Sequence, residues 1–457
     1  YNTSGNSNVG IGVQALRANT TASNNTAVGT SALAANTTGA SNVAVGASAS
    51  LSNDTGSDNA AFGHQALQTN ISGGSNSAFG RYALLNNLAS FNTAVGRSAL
   101  QENTTGGNNV GVGYRALYLN DTGAQNTVIG TQAAETYTGN YSVMIGQAAG
   151  QLSTTAGSLV LVGQGAGRNK TTGNYSIHIG ESAGFGATSG VNNTGANNIS
   201  IGGISQYQIT SGFENVAVGH QAQRLMTSGS HNVGIGPSAL YTCDTGTYNT
   251  AVGSAAGLNI NTGVNNVYMG GGAGSVTTTG TGNIIVGYAS QPESAGASTC
   301  HGLGYGIICA GGYTTLGDGT TDSRLAHGGT TWATVSDERY KKDIVDSEAG
   351  LSLINALRPR TFNYKNKGEL PESFRAYEEG STEAFKSSQT QHGFIAQEVK
   401  AAIDADSSIA DGFKLWDERD DGSQEVGEAA LIPVLVKAIQ ELSAQNAALT
   451  ARIEALE

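Results

Sequence analysis

Apolar positions in the first 290 residues do not fall into helical stripes. They recur in one short block, Asn-x-Ala-Val-Gly-x-x-Ala, separated by polar turn formers such as Asn36-Thr-Thr-Gly39. The glycine of this block occurs 17 times, from Gly12, Gly29 and Gly46 to Gly270 and Gly287. Thirteen steps are 17 residues, two are 16, and one, between Gly180 and Gly202, is 22. The residue before the glycine is apolar in every copy, alanine follows three residues later in 15 of 17, and asparagine precedes by four in 14 of 17. A fixed short period marks a solenoid or array. Seventeen residues cannot hold a strand plus a crossover helix. The pattern therefore predicts one β-coil per repeat: a short strand, a glycine bend, a segment of small residues and a polar turn.

Such a coil cannot stand alone. Ordering 17 residues costs about 17–34 kcal/mol of backbone entropy, and burying one Val or Ile returns about 1.5–3 kcal/mol. Coils must stack. The apolar column is about one large residue wide, so the expectation is that three chains wind about one axis and share a core. The asparagine column is expected to form a ladder of side-chain amides along the stack. A single-chain β-solenoid is the alternative reading. The predicted fold class is mostly β, a trimeric parallel β-roll shaft over 1–290, with a β-structured tip or connector at 291–335.

Charge changes this picture near position 335. Residues 1–335 carry 8 Lys+Arg and 11 Asp+Glu, whereas the shorter segment 336–457 carries 14 and 23. Glycine moves the other way, with 59 of 66 before position 336. Two chemically different parts are joined there. The net charge of −12 argues against nucleic acid or an anionic membrane as partner. Leu431–Ile439 is the longest apolar run and is interrupted by Pro433 and Lys437, so no membrane insertion is expected. The chain opens at Tyr1 in mid-pattern, which reads as a piece of a longer protein. Cys300, His301 and Cys309 lack a second paired-ligand motif, so neither a metal nor a cofactor is expected. Tyr305, Tyr313 and Trp332 in the connector are candidates for stacking on a receptor sugar.

The chain ends in heptads. Ile432, Ile439, Asn446 and Ile453 lie seven apart, as do Leu435, Leu442, Leu449 and Leu456. These are the a and d positions of a coiled coil over 431–457. Ile at a with Leu at d suits two strands by the general rule, and Asn446 sets register, so the heptads leave dimer and trimer open.

The repeat resembles the β-roll heads of trimeric autotransporter adhesins, whose coils read similarly around Asn-x-Ala-Val/Ile-Gly-x-x-Ala. Segment 336–457 is similar to the C-terminal intramolecular chaperone of phage tailspikes and tail fibres, the endosialidase type. The resemblance rests on Ser336-Asp-Glu-Arg-Tyr-Lys341-Lys-Asp-Ile344, Leu353-Ile-Asn-Ala-Leu-Arg-Pro359, Phe362-Asn-Tyr364 and His392-Gly-Phe-Ile-Ala-Gln-Glu-Val399. It implies an α+β chaperone and autoprotease core at 336–430. That domain would direct trimerisation of the preceding β-shaft and then release itself. Ser336 would be the nucleophile, Lys341 the base and Val335–Ser336 the scissile bond, with His392 and Arg339 auxiliary.

Elementary chemistry sets conditions on this pair. A serine hydroxyl attacks only when a base takes its proton, and a lysine can do so only as the neutral amine. Burial and neighbouring cations favour that form. Arg339 and Lys342 are adjacent cations; Asp337, Glu338 and Asp343 oppose them. Residues five apart point about 140° apart on a helix and to opposite faces on a strand. The pair therefore needs a turn between its members, or partners from two chains. The functional expectation is a virion tail fibre, a homotrimer that meets a host surface glycan or protein receptor. Alternatives are a bacterial surface adhesin, or a polysaccharide-degrading tailspike. The last would need carboxylate pairs about 5–10 Å apart, and Asp54, Glu102, Asp121, Glu135, Glu181 and Glu214 are scattered.

Overall fold

The fold was obtained as a computed structural model of a single chain. It describes residues 2–186, 192–407, 409 and 413–456. Two compact units divide the chain, residues 1–335 and 336–457.

The first unit is a parallel β-solenoid. Each repeat contributes one three-residue strand, from Val9–Ile11 and Thr26–Val28 to Ile284–Val286. Every strand pairs in parallel with the next one in register, as Thr26↔Val43, Ala27↔Ala44 and Val28↔Val45. Coil-to-coil hydrogen bonds continue outside the strands, for example Leu33 N–H to Ala49 O at 3.0 Å. Each coil is bent by its glycine and by left-handed residues after it. Gly29 has φ +135°, Ser31 +60° and Leu33 +50°. A Cβ on Gly29 would lie 2.6 Å from the carbonyl of Gly46, so the stacked glycines cannot carry side chains. The 22-residue step spans residues 187–191, which lie outside the described residues.

The core is closed within one chain, which corrects the expectation of a core shared among three. The middle residue of each strand points inward (Ala27, Ala44, Ala61 and Ala78 are all fully buried). The column before the glycine, expected to be the core, faces out instead: Ile129, Ile235 and Met269 are 40, 40 and 45% exposed. The reason is volume. A coil of 17 residues encloses a narrow space, already occupied by the leucine four residues after the glycine, such as Leu33, Leu67 and Leu84. In four coils with a large middle residue, glycine stands at that leucine's position. Met144 faces Gly150, Leu161 faces Gly167, His178 faces Gly184 and Tyr268 faces Gly274; a Cβ on any of these glycines would lie 2.2–2.6 Å from its partner's side chain.

The asparagine column forms a ladder, with direct amide-to-amide bonds from Asn198 to Asn266, as Asn266 Nδ2 to Asn249 Oδ1 at 2.9 Å, and with backbone groups as further partners. The Oδ1 of Asn25 accepts from the backbone N–H of Asn42 at 2.8 Å, and its Nδ2 donates to Gly39 O at 2.9 Å. A second buried column, from Asn19 to Asn120, makes direct amide-to-amide bonds, as Asn53 Nδ2 to Asn36 Oδ1 at 2.8 Å. Parallel stacking runs past position 290, through His301–Gly304 and Tyr313–Gly317, and then reverses into the antiparallel strands Ser323–Ala326 and Ala333–Thr334. Cys300 stands where asparagine stands elsewhere; its N–H donates to Asn283 Oδ1 at 2.9 Å. Gly304 therefore closes one further 17-residue step.

The second unit packs helices α1 (Leu351–Ala356), α2 (Ala396–Ala405) and α3 (Leu431–Glu454) with two short antiparallel strand pairs. Its small core holds Leu353, Val399, Leu415, Leu431 and Val434.

Candidate functional site

Ser336 opens the second unit. Asp337 follows it in extended conformation and caps a single 3₁₀ turn, Glu338–Tyr340, by accepting from Arg339 N–H at 2.8 Å. The turn closes with Lys341 N–H donating to Glu338 O at 2.9 Å. This brings Lys341 back beside its starting point, and Lys341 Nζ lies 2.8 Å from Ser336 Oγ. A turn within one chain is enough to bring the two together. Both side chains are exposed in the single chain. Arg339 is turned onto Asp337, with Nη2 at 2.6 Å from the carboxylate. That hydrogen-bonded pairing holds the Asp337 carboxyl below its usual range and raises Arg339. Arg339 is thus engaged by the cap.

His392 stands elsewhere in the unit. It lies on the strand Gln391–Gly393, opposite Thr361 of Arg360–Phe362, and is exposed. No hydrogen bond joins it to Ser336 or Lys341 among the described residues. Its segment is tied down by a pair that sequence reasoning left unassigned: Arg360 grips Glu398 with Nε at 2.9 Å and Nη2 at 2.5 Å. This two-toothed contact joins strand Arg360–Phe362 to α2. Both residues flank or lie within quoted motifs, but nothing in their spacing showed that they meet.

Helix α3 carries two apolar faces. Leu431, Val434 and Ala438 are buried against the unit, and the Glu441 carboxylate accepts from Leu351 N–H at 2.8 Å at the start of α1. The other face holds the a and d positions Ile432, Leu435, Ile439, Leu442, Asn446, Leu449 and Ile453, followed by Leu456, and all are exposed in the single chain. The connector aromatics are separate. Tyr305 stacks on Tyr288 at 5.8 Å, Arg324 sits 5.1 Å over Tyr313, and Trp332 is half-exposed. Cys243, Cys300 and Cys309 are buried free thiols. Among the described residues, no cluster of three or more His, Cys, Asp or Glu is placed to hold a metal ion. Among the same residues, no helix is long and apolar enough to cross a membrane.

Comparison with known proteins places the start of the second unit. Residues 336–406 fit the family model described as chaperone of endosialidase, and the match begins at Ser336. No curated protein and no solved structure matches the chain. The match supports a trimerisation-chaperone function and is consistent with self-cleavage. Over residues 336–406 the chain is similar to the self-releasing chaperones of endosialidases, and that likeness, together with the solenoid of 17-residue coils, fits a tail fibre or tailspike that carries such a domain.

Proposed function

We propose that the chain is the shaft and assembly domain of a homotrimeric, receptor-binding phage tail fibre, and that the assembly domain cuts itself off after the three shafts have aligned. The observation that carries this reading is the contact of Lys341 Nζ with Ser336 Oγ at the first residue of the chaperone match.

The chemistry follows from that contact. Neutral Lys341 takes the proton of Ser336 Oγ, and the oxygen attacks the carbonyl carbon of Val335. This closes a five-membered ring, whereas attack on the serine's own carbonyl would close a four-membered one. The Oγ–C bond forms, the C–N bond breaks, and the proton passes from Lys341 to the departing amine. The resulting ester of Val335 on Ser336 Oγ is hydrolysed by water to a Val335 carboxylate and a free hydroxyl. Solvent reaches the pair in a single chain, so packing by neighbouring copies would supply the dry surroundings a neutral amine favours. Cleavage would then wait for assembly.

Trimerisation draws support from two faces that a single chain leaves bare. One is the a/d stripe of α3. The other is the outer strand face of the solenoid, where the apolar residues before each glycine form a column roughly 80 Å long at the ~4.8 Å spacing of paired strands; Phe62 and Phe79 already stack on it at 4.9 Å. Exposed apolar surface on this scale marks an association face.

The test is intact mass on denatured protein. Wild type is expected to give fragments 1–335 and 336–457, and Ser336→Ala or Lys341→Ala one full-length species. A cut on the other side of Ser336, or cleavage that persists in both variants, refutes the mechanism.

A further inference from the structure

The shaft carries a lateral recess of about 470 Å³ on the coils that begin at Gly63, Gly80, Gly96 and Gly113. Three tyrosines line it, Tyr82, Tyr114 and Tyr118, together with Arg97, Arg115 and Gln101. The size lies within the usual range of ligand clefts. The shaft is poor in charge, yet Arg81, Arg97 and Arg115, three of the eight cations of residues 1–335, fall within this stretch.

The cations are not equivalent. Arg115 lies 4.1 Å over the Tyr118 ring and pairs with Glu135 at 2.8 Å. Arg81 covers Tyr82 at 4.4 Å and donates to its hydroxyl at 2.6 Å. Arg97 is exposed beside the Tyr114 ring at 5.8 Å and has no carboxylate partner among the described residues. The nearby carboxylate, Glu102, is instead taken by Asn86 at 2.6 Å and Gln101 at 2.8 Å. The recess therefore offers flat aromatic faces, amide and guanidinium donors, and one uncommitted positive charge.

We infer that this recess binds an acidic oligosaccharide, with Arg97 receiving a sugar carboxylate and Tyr82, Tyr114 and Tyr118 stacking on the apolar faces of the pyranose rings. Aromatic rings suit the C–H faces of sugars, and a guanidinium suits a carboxylate better than a hydroxyl. A single free cation in a chain of net charge −12 does not suit a phosphate polymer. The inference rests on the adhesive-fibre reading for the purpose of the site. The recess itself lies within one chain, and a trimer would present it three times, compensating a weak single-site affinity.

The test uses the full chain as purified, with oligogalacturonate and oligosialate as acidic probes and dextran oligomers of equal length as the neutral one. Calorimetry is expected to show binding of at least one acidic probe, weakened by added salt, and none of dextran. Arg97→Ala and Tyr114→Ala should each weaken it about tenfold or more. Arg97→Lys should keep part of it, and Trp332→Ala should leave it unchanged. Circular dichroism shows that the variants fold. Equal binding of dextran, full binding by Arg97→Ala, or no binding of either acidic probe at millimolar concentration overturns the inference. Native mass and fragment masses of the same samples separate the outcomes: a trimer that cleaves but ignores acidic sugars removes the recess alone, whereas a monomer that binds them removes the assembly reading alone.

Discussion

The exchange of bulk inside the coils gives a sharp quantitative test. Leu161 is fully buried and Gly167, at φ +57°, faces it. A Cβ on Gly167 would lie 2.6 and 2.9 Å from the two methyl carbons of Leu161. Leu161→Ala alone should cost about 2–5 kcal/mol, the usual range for emptying a buried leucine site. Gly167→Leu alone overfills the same space, and left-handed leucine adds about 1 kcal/mol, so about 2–4 kcal/mol is expected. The double variant recreates the arrangement of Ala27 with Leu33, whose φ is +50°. It should lose only about 1–2 kcal/mol. The favourable coupling is then about 2 kcal/mol or more, large for a pair of neighbours. Hydrogen exchange of the Gly167 amide, which donates to Ala183 O at 2.9 Å, reads the local opening free energy directly. If the double variant opens as easily as the sum of the two single ones, the two positions do not share one space and the volume argument fails.

Other outcomes follow from the same structure. Ile439→Asp with Leu442→Asp, on the exposed face of α3, should leave the unit folded but give monomers by native mass spectrometry; persistent trimers would remove α3 as an association element. Buried Lys170 has its pKa lowered to about 7 from 10.5 by desolvation, so between those values the unfolded chain binds more protons and stability rises with pH, by up to about 1.4 kcal/mol per unit. Lys170→Met should therefore stabilise most at pH 6 and least at pH 10 in denaturant titrations, and a pH-independent difference would contradict this. His178, held neutral by burial and by Lys170 with a pKa of about 3, should make the shaft lose stability as pH falls below about 6.5; His178→Leu should flatten that loss.

The repeat period, the strand, the glycine bend and the asparagine ladder were legible because each depends on one residue type at one spacing. The inside and outside of the coil were not. A strand reading Val-Ala-Val or Thr-Ala-Val puts bulk on one face and a methyl on the other, and ordinary reasoning turns the bulk inward. The narrow coil admits the methyl and sends valine out. Left-handed Leu33 and Leu67 were equally hidden, since leucine rarely adopts that backbone. The repeat ending at Gly304 escaped notice because Cys300 occupies its asparagine position. At the site, a Ser-x₄-Lys spacing alone carried almost no information; the Asp337 cap and one 3₁₀ turn convert it into contact. The Arg360–Glu398 grip is set by tertiary pairing and left no local trace.

The closed coil also relocates the register problem that an assembly domain would solve. Within one chain, register is fixed by covalent order, and some coils differ inside by their own volume pairing. In the proposed trimer the outer strand faces would meet, and there Val28, Val45, Val95 and Val112 look nearly alike. Sliding one shaft by a coil forfeits about one contact layer in seventeen, a small penalty for a large error. A clamp at the C-terminal end fixes the coil nearest it and leaves distant coils to follow. Deleting one whole coil, residues 30–46, should therefore leave assembly and cleavage intact. Co-expressed with the full-length chain under a different tag, the shortened chain should enter mixed trimers, because both share the coils adjoining position 335. If shaft faces set register instead, the two lengths would sort into separate trimers. Mixed species absent from native mass spectra, with both pure trimers present, would assign register to the shaft and leave the C-terminal unit without that role.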